Sequence, residues 1–316
     1  MVSHYSRHMV RALPLSAALL AAVLLITACA TDTRTRSVAA DYYNIGNAYA
    51  ALGQYDKAIP YYQNALRIDP GMVKTDFNLA LAYARMKRTD DAVAVLKRLL
   101  ANDSQNTQLL STLGWVYHLG GREGDALAQY DSVLELSPAD QDALYNSGVI
   151  LWKLDRGPEA LERIRKALAY APDDTDALFA AGSLLLAQDD PSGSAEMLAR
   201  YLEKKPDDVD AWYMVAAGAE RQQKYSRALD AFDRITAIDT KQAEAWFGEA
   251  RLLLTVIEDP QRGLEALSKA LAGGFHDTAA VKALLDSSGL LDRNKVEAAL
   301  KEHALLPDSA PPPAPK

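Results

Sequence analysis

The sequence predicts an all-α chain of repeated helix pairs, and three observations carry that prediction. Gly114, Gly148 and Gly182 stand 34 residues apart, with Gly46 two such steps before Gly114. Pro138, Pro172 and Pro206 keep the same interval, with Pro70 two steps earlier; so do Ala58, Ala92, Ala126 and Ala160, with Ala228 two steps on. Between these marks the apolar residues recur at helical spacing. A helical hairpin of this length cannot bury both apolar faces alone, so neighbouring hairpins must stack into a shared core.

Ahead of the repeats, residues 1–28 read as a leader. Arg7 and Arg11 stand before any acid, an apolar run extends from Leu13 to Ile26, and the small residues Thr27 and Ala28 precede Cys29. That is the layout of a secretory signal peptide, and the run is short beside the roughly 20 apolar residues a spanning helix needs. "ITAC" at 26–29 resembles a bacterial lipobox, which implies cleavage before Cys29 and a diacylglycerol on its thiol. The implied location is the bacterial cell envelope, lipid-anchored at the outer membrane or periplasmic face. An uncleaved anchor with an incidental cysteine is the alternative. Cys29 is the sole cysteine, so no disulfide and no thiolate metal site is available. Residues 29–38 are expected to form a short polar tether.

Within the first unit, Tyr42, Ile45, Tyr49 and Leu52 form one helical face; after a break at Gly53, Ala58, Tyr62 and Ala65 form another. Asp69-Pro70 closes the unit, because proline biases its predecessor away from the helical region. Pro60, Pro158 and Pro191 are expected in the first turn of second helices or just before it, where an N–H would lack a partner anyway.

"DYYNIGNAYAALGQYDKAIPYYQNALRIDP" resembles the tetratricopeptide repeat, whose pattern places Trp, Leu, Gly, Tyr, Ala, Phe, Ala and Pro at positions 4, 7, 8, 11, 20, 24, 27 and 32. Tyr42, Ile45, Gly46, Tyr49, Ala58, Tyr62, Ala65 and Pro70 fill them here. The resemblance implies a right-handed α-solenoid over 39–272, with about seven repeats starting near 39, 73, 107, 141, 175, 209 and 243. Asp76, Ser104 and Ser194 depart from the pattern, and the seventh unit is stretched by a residue around "VIEDPQRG"; these units are the expected loose points of the stack. Positions 8 and 20 are small in every unit, so a large side chain there should overpack by about 1–3 kcal/mol. Residues 273–305 read as capping helices and the Pro-rich 306–316 as a disordered tail.

No catalytic constellation emerges. His118, His276 and His303 are far apart in sequence, and no HExxH, CxxC pair, GxSxG or P-loop occurs. The carboxylates cluster at unit boundaries such as "PDDTD" and "PDDVD", where they act as helix N-caps. Neither an enzyme nor a cofactor is expected. Without residues 1–28 the chain holds 32 basic and 42 acidic side chains, a balance that opposes nucleic-acid binding.

Family resemblance implies that the first helices line the concave side. The expected groove residues are Tyr43, Asn47, Phe77, Leu81, Trp115, His118, Tyr145, Trp152, Phe179, Tyr213 and Phe247, with Leu186 and Leu254 at the same repeat position as Trp152. Such rings give large contact area at small entropic cost and suit a protein or peptide partner; the other reading makes the position-5 rings structural. Asp142, Asp176, Asp210 and Glu244 at position 2 are either N-terminal caps or an acidic rim. Relatives that clamp a C-terminal carboxylate use Lys, Asn and Arg; only Asn47 matches, so that mode is disfavoured. The expected function is a membrane-anchored scaffold or adaptor in envelope assembly, secretion or cell-wall enzyme recruitment. A carrier of a small hydrophobic ligand for a transporter is the alternative.

Overall fold

The computed structural model describes residues 35–306. The leader, Cys29 and the tail from 307 lie outside the described residues. Within them the chain is helical apart from turns, with no strand. It divides into two compact units, Met1–Pro138 and Ala139–Lys316. The first holds α1 (35–51), α2 (Tyr55–Ile68), α3 (Val73–Arg85), α4 (Thr89–Asn102), α5 (Thr107–Leu119) and α6 (Glu123–Leu136). The second holds α7 (Gln141–Lys153), α8 (Gly157–Tyr170), α9 (Thr175–Ala187), α10 (Pro191–Lys204), α11 (Val209–Arg221), α12 (Tyr225–Ile238), α13 (Ala243–Thr255), α14 (Pro260–Ala272), α15 (Thr278–Asp286) and α16 (Arg293–Glu302).

Every hairpin turns through one residue in the left-handed region: Gly53, Lys87, Gly121, Asp155, Asp189, Gln223 and Glu258, with φ between 57° and 71°. Two of the seven are glycine, so the other turns accept the cost of a Cβ at positive φ. The boundary carboxylates cap as expected. Asp140, Asp174 and Asp208 accept from the N–H groups of Ala143, Ala177 and Ala211 at 2.8, 2.8 and 2.9 Å, and Asn106 does the same for Leu109. Each bond satisfies one of the orphan donors at a helix start.

The small residues let the paired helices approach. Ala58, Ala92, Ala126, Ala160 and Ala228 are wholly buried. A Cβ on Gly148 would meet Ile164 Cδ1 at 2.7 Å, and one on Gly46 would meet the Tyr62 ring at 2.6 Å. Ser194 occupies the same slot as those alanines and is 1% exposed, with its hydroxyl left without a hydrogen-bond partner.

Three details correct the sequence reading. Residues 35–38, expected as tether, are already helical, and Ala39 is fully buried; nothing in that stretch breaks a helix. Pro60 lies inside α2, whereas Pro158 and Pro191 are in the first turns of α8 and α10. Pro60 and Asp56, whose carbonyl loses its usual i+4 donor, are both exposed residues. The departure at Asp76 is not a loose point either: its carboxylate is buried and accepts from Arg98.

The end of the second unit is closed by α15 and α16. Phe275, Val281, Leu284, Val296 and Leu300 join Phe247, Leu254 and Leu267 in one buried cluster. The Leu291 N–H donates to the carbonyl of Leu254 at 2.9 Å, tying the cap to α13.

Candidate functional site

The first helix of each pair carries the predicted partner-binding residues. In the first unit these are α1, α3 and α5. Tyr43, Asn47, Phe77, Leu81, Trp115 and His118 are all half-buried, each with part of its side chain open to solvent. Asn47 Oδ1 accepts from Tyr62 Oη at 2.8 Å and from Asn78 Nδ2 at 2.9 Å. Asn78 was not anticipated, and it makes Asn47 one half of an amide pair spanning α1 and α3. Burial raises the Tyr62 phenol above its ordinary pKa and the neighbouring Tyr43 adds to this, so it stays a neutral donor to Asn47.

Trp115 differs from the expectation of a free ring. The Arg85 guanidinium lies 5.2 Å from its centroid, a cation–π contact that joins α3 to α5 and covers one ring face. His118 Nδ1 lies 2.6 Å from Glu123 Oε2, so this histidine holds the start of α6.

In the second unit the corresponding helices are α7, α9, α11 and α13. Trp152 is 39% exposed, the most open of the predicted rings. Tyr145, Phe179 and Tyr213 are half-buried. Phe179 packs on Tyr201 at 5.2 Å, and Tyr213 meets Phe232 edge-on at 6.4 Å, so both rings are partly committed to the second helices behind them. Desolvation raises the Tyr145 pKa, with Asp176 and Asp174 contributing.

Phe247 is a correction. It is 4% exposed and stacks on Phe275 at 4.0 Å with the rings 10° from parallel, because the C-terminal cap covers α13. Leu186 and Leu254 are buried as well, at 8% and 0%. These three are core residues. The side-chain caps are Asp140, Asp174 and Asp208, while the position-2 acids Asp142, Asp176, Asp210 and Glu244 are exposed in the first turns of their helices.

Polar links between neighbouring first helices of this unit were missed by the sequence reading. Ser183 Oγ, which donates to the Phe179 carbonyl at 2.8 Å, lies 3.6 Å from Met214 Sδ, and Arg251 pairs with Glu220 at 2.5 Å. On the second helices, a cleft of about 1000 Å³ lies between α12 and α14, against Trp246. Its lining is charged. Arg262 bridges Asp233 at 2.6 Å and the buried Glu249 at 3.0 Å, while Lys269 lies 4.3 Å over the Trp246 ring. Desolvation, reinforced by Asp233, pushes the Glu249 carboxyl up against the opposing pull of Arg262. Among the described residues no group of three or more His, Cys, Asp or Glu is placed to hold a metal ion, and no helix is long and apolar enough to cross a membrane.

Three family models, each described as tetratricopeptide repeat, match residues 39–72, 77–141 with 120–175, and 156–218. Comparison with curated proteins gives no match. Among solved structures, YrrB, described as a TPR protein with an unusual peptide-binding site, is 21% identical. The alignment covers 60% of this chain and 96% of that one, with a TM-score of 0.55. Pseudomonas aeruginosa pilF is 16% identical over 68% of this chain and 96% of its own, with a TM-score of 0.56. The C-terminal part of a TPR repeat-containing protein from Cytophaga hutchinsonii reaches a TM-score of 0.66 at 13% identity, covering 77% and 99%. At these identities the likeness is one of fold. The repeat interval, the buried small residues and the matched models agree, and the chain belongs to the tetratricopeptide repeat family.

Proposed function

We propose that this chain is a membrane-tethered, extracytoplasmic scaffold that holds an extended protein or peptide segment on its first-helix faces. One observation carries the reading: the Asn47–Asn78 amide pair in the first unit, flanked by the half-open side chains of Tyr43, Phe77 and Leu81. With Asn47 Oδ1 used internally, Asn47 Nδ2 remains as a donor and Asn78 Oδ1 as an acceptor. A peptide unit in an extended chain offers the complementary pair, and apolar neighbours on either side provide contact area for its side chains. The peptide-binding site named for YrrB supports this by analogy of fold. In the second unit, exposed Trp152 and the first-turn acids Asp142, Asp176 and Asp210 favour a segment with an apolar residue and nearby Lys or Arg.

The cationic, apolar and small-residue succession of 1–28 and the lipobox-like "ITAC" support export and lipid attachment at Cys29 in a bacterial envelope. Two acyl chains anchor stably where one is marginal. Envelope assembly, secretion or recruitment of a cell-wall enzyme are the processes such a tethered adaptor serves.

A photo-cross-linking residue placed at Leu81 or Trp152 in cells is expected to trap a partner, and one at exposed Ala128 or Glu162 on the second helices is not. Equal trapping from both sets of positions would overturn the first-helix assignment. In parallel, Cys29→Ser should leave the membrane fraction; retention there would mean another anchor.

A further inference from the structure

The two ends of the repeat array are finished differently. The last hairpin is sealed by α15 and α16, whereas α1 leaves a row of aliphatic side chains in the open. Val38, Ile45 and Leu52 are 41%, 41% and 70% exposed. They recur every seven residues, which is two helical turns, so they form one stripe along α1 and its C-terminal end. Exposed Asp41 and Ala48 lie along one edge of the stripe, so it carries one carboxylate at its border. Alongside it, Tyr42 and Tyr49 pack on Tyr61 with centroids 6.3 and 5.3 Å apart. Terminal repeats ordinarily turn a polar face outward for solubility, and here that rule is broken.

We propose that this stripe lies against the surface of the bilayer that holds the lipid anchor, with α1 parallel to the membrane plane. The inference rests on the lipidation of Cys29 proposed above and adds an orientation to it. Residue 35 is six residues after Cys29, and a chain extends by at most about 3.3–3.6 Å per residue. The start of α1 is therefore held within about 20 Å of the acylated sulfur. Three aliphatic side chains are too few to bring a free protein to a membrane. On a tethered one they act at high effective concentration, so a weak contact suffices. Tyrosines beside the stripe suit the headgroup region, where an apolar ring and a polar hydroxyl are both accommodated.

The test uses the full chain, expressed in a bacterium that processes lipoproteins and reconstituted into phosphatidylethanolamine–phosphatidylglycerol vesicles. An acylated Cys29 has no free thiol, so Leu52→Cys introduces one reactive site for an environment-sensitive fluorophore. Leu136→Cys, exposed at the end of α6 in the same unit, is the control. Vesicle flotation is measured first. With the protein floating, the Leu52 probe is expected to be blue-shifted and quenched by lipids carrying a doxyl group near the headgroup, and the Leu136 probe is not. Three results would overturn the proposal while leaving the anchor standing. One is a Leu52 probe in floating protein that is neither shifted nor quenched. Another is an unquenched shift that grows with protein density, which assigns the stripe to a second copy. The third is an unquenched shift independent of density, which assigns it to the chain's own preceding segment. Protein that does not float removes the anchor and the proposal together. Both substituted positions are solvent-facing, and matching helical circular dichroism shows that the variants are folded.

Discussion

Asn78 Nδ2 donates to Asn47 Oδ1 at 2.9 Å across 31 residues, and the same interval recurs at Ser183–Met214 and Glu220–Arg251. The repeat is 34 residues, so side chains on adjacent first helices meet one turn short of full register. Residues three positions earlier in the following unit are therefore the polar partners to look for on this surface.

The amide pair gives a direct prediction. Asn78→Ala removes a half-exposed hydrogen bond and is expected to cost about 1 kcal/mol of stability. Capture of the partner at a cross-linker on Leu81 should fall about tenfold, the equivalent of roughly 1.4 kcal/mol of binding. Thermal unfolding and cross-linking yield, measured on the same preparation, separate the two effects. Undiminished capture would remove the amide pair from the recognised surface.

Gly148→Leu is expected to destabilise by about 1–3 kcal/mol through overpacking. Even a Cβ at this position comes within 2.7 Å of Ile164, and the Ala160 carbonyl is 3.3 Å away. Gly124→Leu is the comparison, since nothing lies within 4 Å of a Cβ there. Denaturant melts of the two variants should differ in midpoint; identical midpoints would contradict the packing of α7 on α8.

Ser194→Ala is expected to stabilise. The serine hydroxyl is buried without a hydrogen-bond partner in a slot that five other repeats fill with wholly buried alanine. Relieving an unsatisfied buried group is worth about 1–3 kcal/mol. A lower melting temperature for the alanine variant would mean that a buried water or a shifted rotamer serves the hydroxyl.

Tyr201 predicts an alkaline transition. Its hydroxyl donates to Asp208 at 2.6 Å, and burial followed by that carboxylate raises its pKa from 10.0 to about 12. An acid whose folded pKa is raised contributes stability that is complete below its unfolded pKa and lost as pH climbs through the folded one. The loss therefore runs from about pH 10 to about pH 12. Tyr201→Phe should be less stable than wild type at pH 8, where the bond to Asp208 is intact, and the gap should narrow above pH 10. Urea unfolding across that range checks both parts.

The helix pairs, their boundaries and their small-residue contacts were legible in the sequence because each rests on local chemistry repeated at a fixed interval. Gly148, Ala160, Asp174 and Pro172 signal close approach, capping and termination wherever they recur. The candidate surface was legible only in part. Tyr43, Asn47 and Trp152 stand where their repeat positions put them, half-buried or exposed. Phe247 occupies an equivalent position and is sealed under Phe275, because the cap is not a repeat and its docking has no periodic trace. Arg85 covers Trp115 and Asn78 engages Asn47 for a related reason. Those contacts join different helices, so they depend on how the helices are set against each other. By itself the sequence determined the family, the hairpin and the residues at each repeat position. Only tertiary packing decided which of those side chains remain exposed, since burial depends on what lies opposite and not on what lies next in the chain.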